Sequence, residues 1–140
     1  MLLCGIGPLE ERIKRYASEL GVTNSIIFAG NVPNINEYYM AMDVFAFPSK
    51  FEGLGIVAIE AQATGLRCLC SPGVPSEVNI TGLCEFISLD DKNRWVTKLL
   101  DVNNNNSDTR KSRIEEIRKA GYDIQDTVKI LTELYKNMAQ

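Results

Sequence analysis

Val44-Phe45-Ala46-Phe47-Pro48-Ser49-Lys50-Phe51-Glu52-Gly53-Leu54-Gly55-Ile56-Val57-Ala58-Ile59-Glu60-Ala61 is the stretch that decides the fold of this chain. Its first four residues form an uninterrupted apolar run, the pattern of a short strand covered on both faces. Pro48, Gly53 and Gly55 interrupt regular structure and predict a tight turn. From Ile56 onward the apolar positions Ile56, Ile59 and Ala63 recur at helical spacing, and Gly65 stands where glycine commonly ends a helix. Strand, turn and helix start follow in direct succession.

The same alternation extends in both directions. Short apolar runs at Leu2–Cys4, Ser25–Phe28, Val44–Phe47, Cys68–Cys70 and Cys84–Ile87 predict strands. Leu9, Ile13, Tyr16 and Leu20 mark a helical stripe ended by Gly21, and Ile35, Tyr38, Tyr39 and Met42 mark a second. Strands alternating with helices imply an α/β, Rossmann-like parallel sheet of about five strands with right-handed crossovers and helices on both faces. Tyr38, Tyr39, Phe45 and Phe47 read as core. After Ile87 the alternation stops. Asp90 is the predicted N-cap of a helix carrying Trp95, Val96, Leu99 and Leu100. Asn103–Asn106 reads as a loop, followed by helices over Thr109–Ala120 and Ile124–Asn137. The chain is read as one domain, 1–140, with 88–140 as its helical tail.

The central turn also carries two carboxylates, Glu52 and Glu60, with seven residues between them. The first N–H groups of a helix lack internal partners, and the helix dipole turns its positive end toward them, so such a junction suits an anion. Gly53 and Gly55 are read as removing the side chains that would hold a diphosphate away from those donors. Glu52, on the approach loop, can accept hydrogen bonds from hydroxyls. Glu60, about one and a half turns into the helix, can hold vicinal hydroxyls such as those of a ribose. A nucleotide diphosphate sugar has these parts in this order.

The segment resembles the Glu-(seven residues)-Glu signature of retaining glycosyltransferases of the GT-B fold, family 4, the glycosyl transferases group 1. Cys4-Gly5-Ile6-Gly7-Pro8-Leu9-Glu10 is similar to that family's strand followed by Gly-x-Gly-Pro-Leu. Phe28-Ala29-Gly30-Asn31-Val32-Pro33 is similar to its Phe-x-Gly-x-Val-Pro loop. Ala41-Met42-Asp43-Val44-Phe45-Ala46-Phe47-Pro48-Ser49 and Glu60-Ala61-Gln62-Ala63-Thr64-Gly65 follow in the family's order, and the tail with Trp95 and Gly121-Tyr122-Asp123-Ile124 resembles capsular and exopolysaccharide enzymes.

The resemblance implies the donor-binding C-terminal domain of such an enzyme, lacking the N-terminal acceptor domain and the first strand and helix of the C-terminal domain. That leaves three expectations for the sheet: it closes a gap, borrows a strand from a partner, or pairs the family's second strand with its fourth. The Arg and Lys that neutralise the donor diphosphate in the family belong to the absent elements, so weak donor affinity and no activity of the isolated chain are expected. By resemblance Glu52 takes the catalytic position, orienting the donor sugar. Gly5, Gly7, Val32, Ser49, Gly53, Leu54, Gly55, Ile56 and Glu60 take the nucleotide-sugar-binding positions: Gly5 and Gly7 for close backbone approach, Val32 for the base, Ser49 for a phosphate. The implied reaction transfers a sugar from a UDP or GDP donor to a polysaccharide or glycolipid acceptor by a front-face route, without metal or cofactor. The competing readings are a non-catalytic nucleotide-binding module and an inert fragment. A nucleotide-sugar epimerase is disfavoured because its signature histidines are missing.

Composition narrows the field further. A net charge of −3 and a pI of about 5.0 give no footprint for nucleic acid. No apolar run approaches the roughly twenty residues of a membrane span, and no signal peptide is recognisable. A cytoplasmic location, peripheral at the inner membrane face, is the expectation. The absence of histidine excludes Ser-His-Asp and Cys-His nucleophilic sites and His-containing zinc sites. Cys4, Cys68, Cys70 and Cys84 lie in apolar runs and read as free thiols. The Arg110-to-Lys119 charges read as a solvated helix face, and exposed sheet or helix surface offers a route to a homodimer.

Overall fold

The computed structural model describes residues 1–101 and 110–138. Along them run β1 (Leu2–Cys4), α1 (Glu10–Glu19), β2 (Ile27–Gly30), α2 (Ile35–Ala41), β3 (Phe45–Phe47), α3 (Ile56–Ala63), β4 (Cys68–Cys70), β5 (Cys84–Phe86), α4 (Lys92–Leu100), α5 (Ile114–Lys119) and α6 (Ile124–Met138). Short 3-10 turns occupy Thr23–Ser25 and Ser76–Val78. Every strand pairing is parallel, as the βα alternation requires. This is the α/β Rossmann-like domain with appended C-terminal helices that the sequence predicts.

The five strands do not form one ladder. β1 pairs with β2, and β4 lies between β3 and β5 in a second sheet. The chain divides into two compact units, Met1–Tyr38 and Tyr39–Gln140.

In the first unit Leu2 stands opposite Ile27 and Leu3 opposite Phe28. The Gly5 N–H continues the ladder to the Gly30 carbonyl at 2.7 Å. α1 buries Ala17 and lays the Lys14 ammonium 5.7 Å from the Phe28 ring centroid. Its predicted stripe of Leu9, Ile13, Tyr16 and Leu20 is exposed.

In the second unit β4 is buried over its whole length, because it is hydrogen-bonded on both edges and covered by α3. Ala58, Ile59, Ala61, Leu66, Val74, Val78, Ile87 and Ile117 complete this core. The small residues of α3 allow its backbone to lie close to the sheet. Cys68, opposite Cys84 in the register, is buried together with Cys84 and Cys70; these three and the half-buried Cys4 are free thiols. Contact with Cys68 and burial push the Cys84 thiol up to about 12, and contact with Cys84 and burial raise Cys70 as well. Protonated at neutral pH, they pack as small apolar groups.

The tail departs from the sequence reading in detail. α4 is capped by Asp91, whose carboxylate accepts from the Arg94 N–H at 3.0 Å, and not by Asp90. Of the helix expected over Thr109–Ala120, Thr109 lies outside the described residues, and α5 begins at Ile114 because the residues just before it are drawn onto the end of α3. There the Arg113 N–H reaches the Ala63 carbonyl at 2.9 Å, and the Lys111 carbonyl fills the space a Cβ on Gly65 would need. Arg110 belongs to no solvated helix face: its guanidinium donates to the carbonyls of Met42 (2.7 Å), Met40 (2.6 Å) and Tyr39 (3.2 Å), closing the end of α2. The loop expected at Asn103–Asn106 lies outside the described residues. α6 follows its predicted span and buries no residue.

Candidate functional site

Two loops leave the carboxyl ends of neighbouring strands in the second unit, the place where open α/β sheets bind ligands. The loop after β3, Pro48 to Gly55, leads into α3. The loop after β4, Ser71 to Pro75, leans against it. The Ser71 hydroxyl donates to the Ser49 carbonyl, and the Glu52 N–H donates to the Gly73 carbonyl at 3.0 Å. Contact is so close at Gly73 that a Cβ there would overlap the Lys50 carbonyl group and lie 2.5 Å from the Ser49 oxygen. Glycine is required here by the approach of two backbones.

This brace sets Glu52. Half-buried, its Oε1 accepts from the Ser49 hydroxyl at 2.7 Å, while the same hydroxyl lies 3.1 Å from the Phe51 carbonyl. The Ser49 Oγ, expected from the sequence at a phosphate, is thus engaged with the carboxylate three residues on. Phe51, Leu54 and Ile56 stand exposed around the turn.

The two glycines of the turn serve different ends. Gly55 is buried in a left-handed conformation (φ 77°), and a Cβ on it would meet Val74 at 3.2 Å and Phe47 at 3.4 Å. It turns the chain into α3 against the core, where a side chain would be crowded by Val74 and Phe47. Gly53 has open space where a Cβ would stand, and its φ is not positive. The fold itself does not demand glycine there.

No side chain caps α3, and its first internal hydrogen bond runs from the Ala58 N–H to the Gly55 carbonyl at 2.9 Å. The Ile56 and Val57 N–H groups precede that bond, at the positive end of the helix dipole. One turn further along, the exposed Glu60 carboxylate receives the Tyr39 hydroxyl at 3.4 Å. Buried Gln62 holds the helix from beneath. Its amide nitrogen donates to the carbonyls of Ala58 (2.9 Å) and Val78 (2.7 Å), and its oxygen accepts from the Thr81 hydroxyl (2.9 Å) and N–H (3.2 Å).

The structure therefore gathers Ser49, Glu52, Gly53, Leu54, Gly55, Ile56 and Glu60 on one loop and the helix it opens. Gly5, Gly7 and Val32 belong to the first unit, on the loops after β1 and β2. There Gly5 adopts φ 118° with nothing within 4 Å of a Cβ, and Gly7 is equally open. Sequence reading passed over Ser71 and Gly73, for which the Pro72-Gly73-Val74-Pro75 turn was the available signal. It placed Tyr39 in the core without its hydroxyl contact. Among the described residues no group of three or more His, Cys, Asp or Glu side chains is placed to hold a metal ion.

The family profile described as Glycosyl transferases group 1 matches residues 1–120. The chain belongs to this family. Among curated relatives of this group 1 sequence, the putative glycosyltransferase EpsF of Bacillus subtilis (strain 168) is 31% identical over 137 residues, covering 96% of the chain and 36% of EpsF. The Vi polysaccharide biosynthesis protein VipC/TviE of Salmonella typhi is 32% identical over 109 residues, 72% of the chain and 19% of that protein. The solved structure of Anabaena Alr3699/HepE in complex with UDP superposes with a TM-score of 0.67 at 15% identity, over 99% of the chain and 40% of HepE. That likeness shows the GT-B fold. The chain spans about a third or less of the curated relatives it matches. No helix among the described residues is long and apolar enough to cross a membrane.

Proposed function

We propose that this chain forms the donor-binding half of a glycosyltransferase that moves a sugar from a nucleotide diphosphate sugar to a polysaccharide or glycolipid acceptor. The observation that carries this reading is the pair Glu52 and Glu60 flanking an uncapped helix start at the carboxyl rim of the sheet. Family membership and a relative solved with UDP support it. The Ile56 and Val57 N–H groups face the diphosphate, Glu60 holds the ribose hydroxyls, and Glu52, fixed by Ser49, orients the donor sugar. Gly53 leaves the space through which the diphosphate approaches.

In the transfer the bond from the anomeric carbon to the diphosphate oxygen breaks while a bond to the acceptor oxygen forms on the same face. The acceptor's hydroxyl proton passes to the departing diphosphate. Negative charge gathers on that leaving group, where fixed N–H donors stabilise it most. On this reading the described residues serve the donor alone, and the chain by itself transfers no sugar.

Titration of the chain with UDP and GDP, followed by amide NMR shifts, tests this. Shifts at Ile56, Val57 and Glu60, lost in Glu60→Ala, are the expected outcome. An isotherm unchanged by Glu60→Ala removes that carboxylate from the site.

A further inference from the structure

Tyr39 is buried to 2% of its surface, edge-on to Phe45 with ring centroids 5.5 Å apart, yet its hydroxyl emerges at an exposed carboxylate, Glu60. A phenylalanine would satisfy the packing equally well, since the T-shaped pair needs only the ring. The hydroxyl is the atom that packing does not explain. Behind it, the backbone of Tyr39 is held by Arg110, which gathers the carbonyls of Tyr39, Met40 and Met42. Ring and main chain are both fixed, so the phenol presents its proton from a set position.

A glutamate on the open face of a helix otherwise samples several rotamers, and ordering it costs free energy when it must grip two hydroxyls at once. From the fixed ring and its contact with Oε2 we infer that the Tyr39 hydroxyl is a positioning group for Glu60, selecting the carboxylate orientation that accepts a vicinal diol. With Oε2 anchored, Oε1 and the remaining lone pair of Oε2 face outward for the ribose 2′- and 3′-hydroxyls. The 3.4 Å separation is long for such a bond. Bonds of this kind tighten when the ligand arrives.

This inference rests on the donor-site reading, and one titration series separates the two. Wild type and Tyr39→Phe are titrated with UDP and GDP and with the 2′,3′-dideoxy analogue of each, with the thermal midpoint of each protein recorded alongside. Loss of a charge-assisted hydrogen bond that organises the ligand-binding carboxylate weakens binding of the intact nucleotide about 5- to 10-fold. The dideoxy analogue, which Glu60 cannot grip, binds both proteins alike, and the thermal midpoint stays close to that of wild type. Equal affinity of wild type and Tyr39→Phe for the intact nucleotide overturns the positioning role and leaves the donor site standing. An equal loss for intact and dideoxy nucleotide overturns it too, because it marks a general packing defect. If wild type binds neither UDP nor GDP, the donor reading itself fails and the role of Tyr39 falls with it.

Discussion

Replacing Gly73 by alanine tests the brace on which the position of Glu52 depends. The new methyl would overlap the carbonyl carbon and oxygen of Lys50 and sit 2.5 Å from the Ser49 oxygen, where a relaxed non-bonded contact to carbon needs about 3.5 Å. All three neighbours are main-chain atoms, which cannot swing aside as a flexible side chain can. The loop must therefore move by about 1 Å, and overpacking of this kind costs about 1–3 kcal/mol, here toward the upper end. For a unit of this size about 3 kcal/mol lowers the thermal midpoint on the order of 12 °C. The movement also lengthens the bond from the Glu52 N–H to Gly73, so on the proposed function sugar recognition suffers along with stability. Gly53→Ala is the matched control: with open space and a negative φ it changes stability by less than about 0.5 kcal/mol, while on the proposed function its methyl obstructs the diphosphate. Thermal unfolding by circular dichroism, paired with titration of a nucleotide sugar, reads both effects. A Gly73→Ala midpoint within about 2 °C of wild type would refute the claim that the two loops abut through their backbones.

Two further outcomes follow from buried and charged groups outside the turn. Gln62→Leu leaves the Val78 carbonyl and the Thr81 N–H without their partner, and urea denaturation should register a loss of about 2–4 kcal/mol. A loss below about 0.5 kcal/mol would show that the amide network does not hold α3. Glu85 is raised by partial burial, but its ion pairs with Lys98, Arg94 and Arg67, at 3.1, 3.1 and 3.2 Å, outweigh that and hold its carboxyl below the ordinary 4.5. A depressed folded pKa stabilises above the unfolded value, and that contribution disappears as pH falls through the folded one. The urea midpoint should therefore drop more steeply for wild type than for Glu85→Gln as pH is lowered from about 6 to about 3, and parallel curves would discount the network.

Local order was legible in the sequence because it rests on neighbours. The apolar run ending at Phe47, the glycine turn and the periodicity from Ile56 each depend on a few adjacent residues, and all appear as β3, its loop and α3. What required the folded chain depends on residues far apart. Nothing near Ser112 announces that the Arg113 N–H will bond the Ala63 carbonyl, so the start of α5 shifted by several residues. Gly55 and Gly53 look equivalent on paper, yet in the folded chain one faces Val74 and the other open space. Tyr39 carries an apolar ring at helical spacing, a signal of core that says nothing of the direction its hydroxyl takes. Sheet continuity was least legible, since the apolar runs predict strands but do not say which of them hydrogen-bond.

A diphosphate between two carboxylates would seem electrostatically self-defeating, and the geometry indicates how the conflict is eased. Each carboxylate has a hydroxyl partner, Ser49 for Glu52 and Tyr39 for Glu60, which draws part of its charge toward the protein. In sequence one acid precedes the first turn of α3 and the other follows it, and that turn carries the positive end of the helix dipole. An anion seated on the Ile56 and Val57 N–H groups has donors nearest and acids flanking, which lets the acids address hydroxyl-bearing ends of the ligand. On the proposed function such an arrangement would discriminate by shape as well as charge: inorganic pyrophosphate would meet two carboxylates with nothing to donate to them, whereas a nucleotide sugar would bring hydroxyls to both. On that proposal, seven intervening residues are a spacing that favours the whole donor over its charged middle.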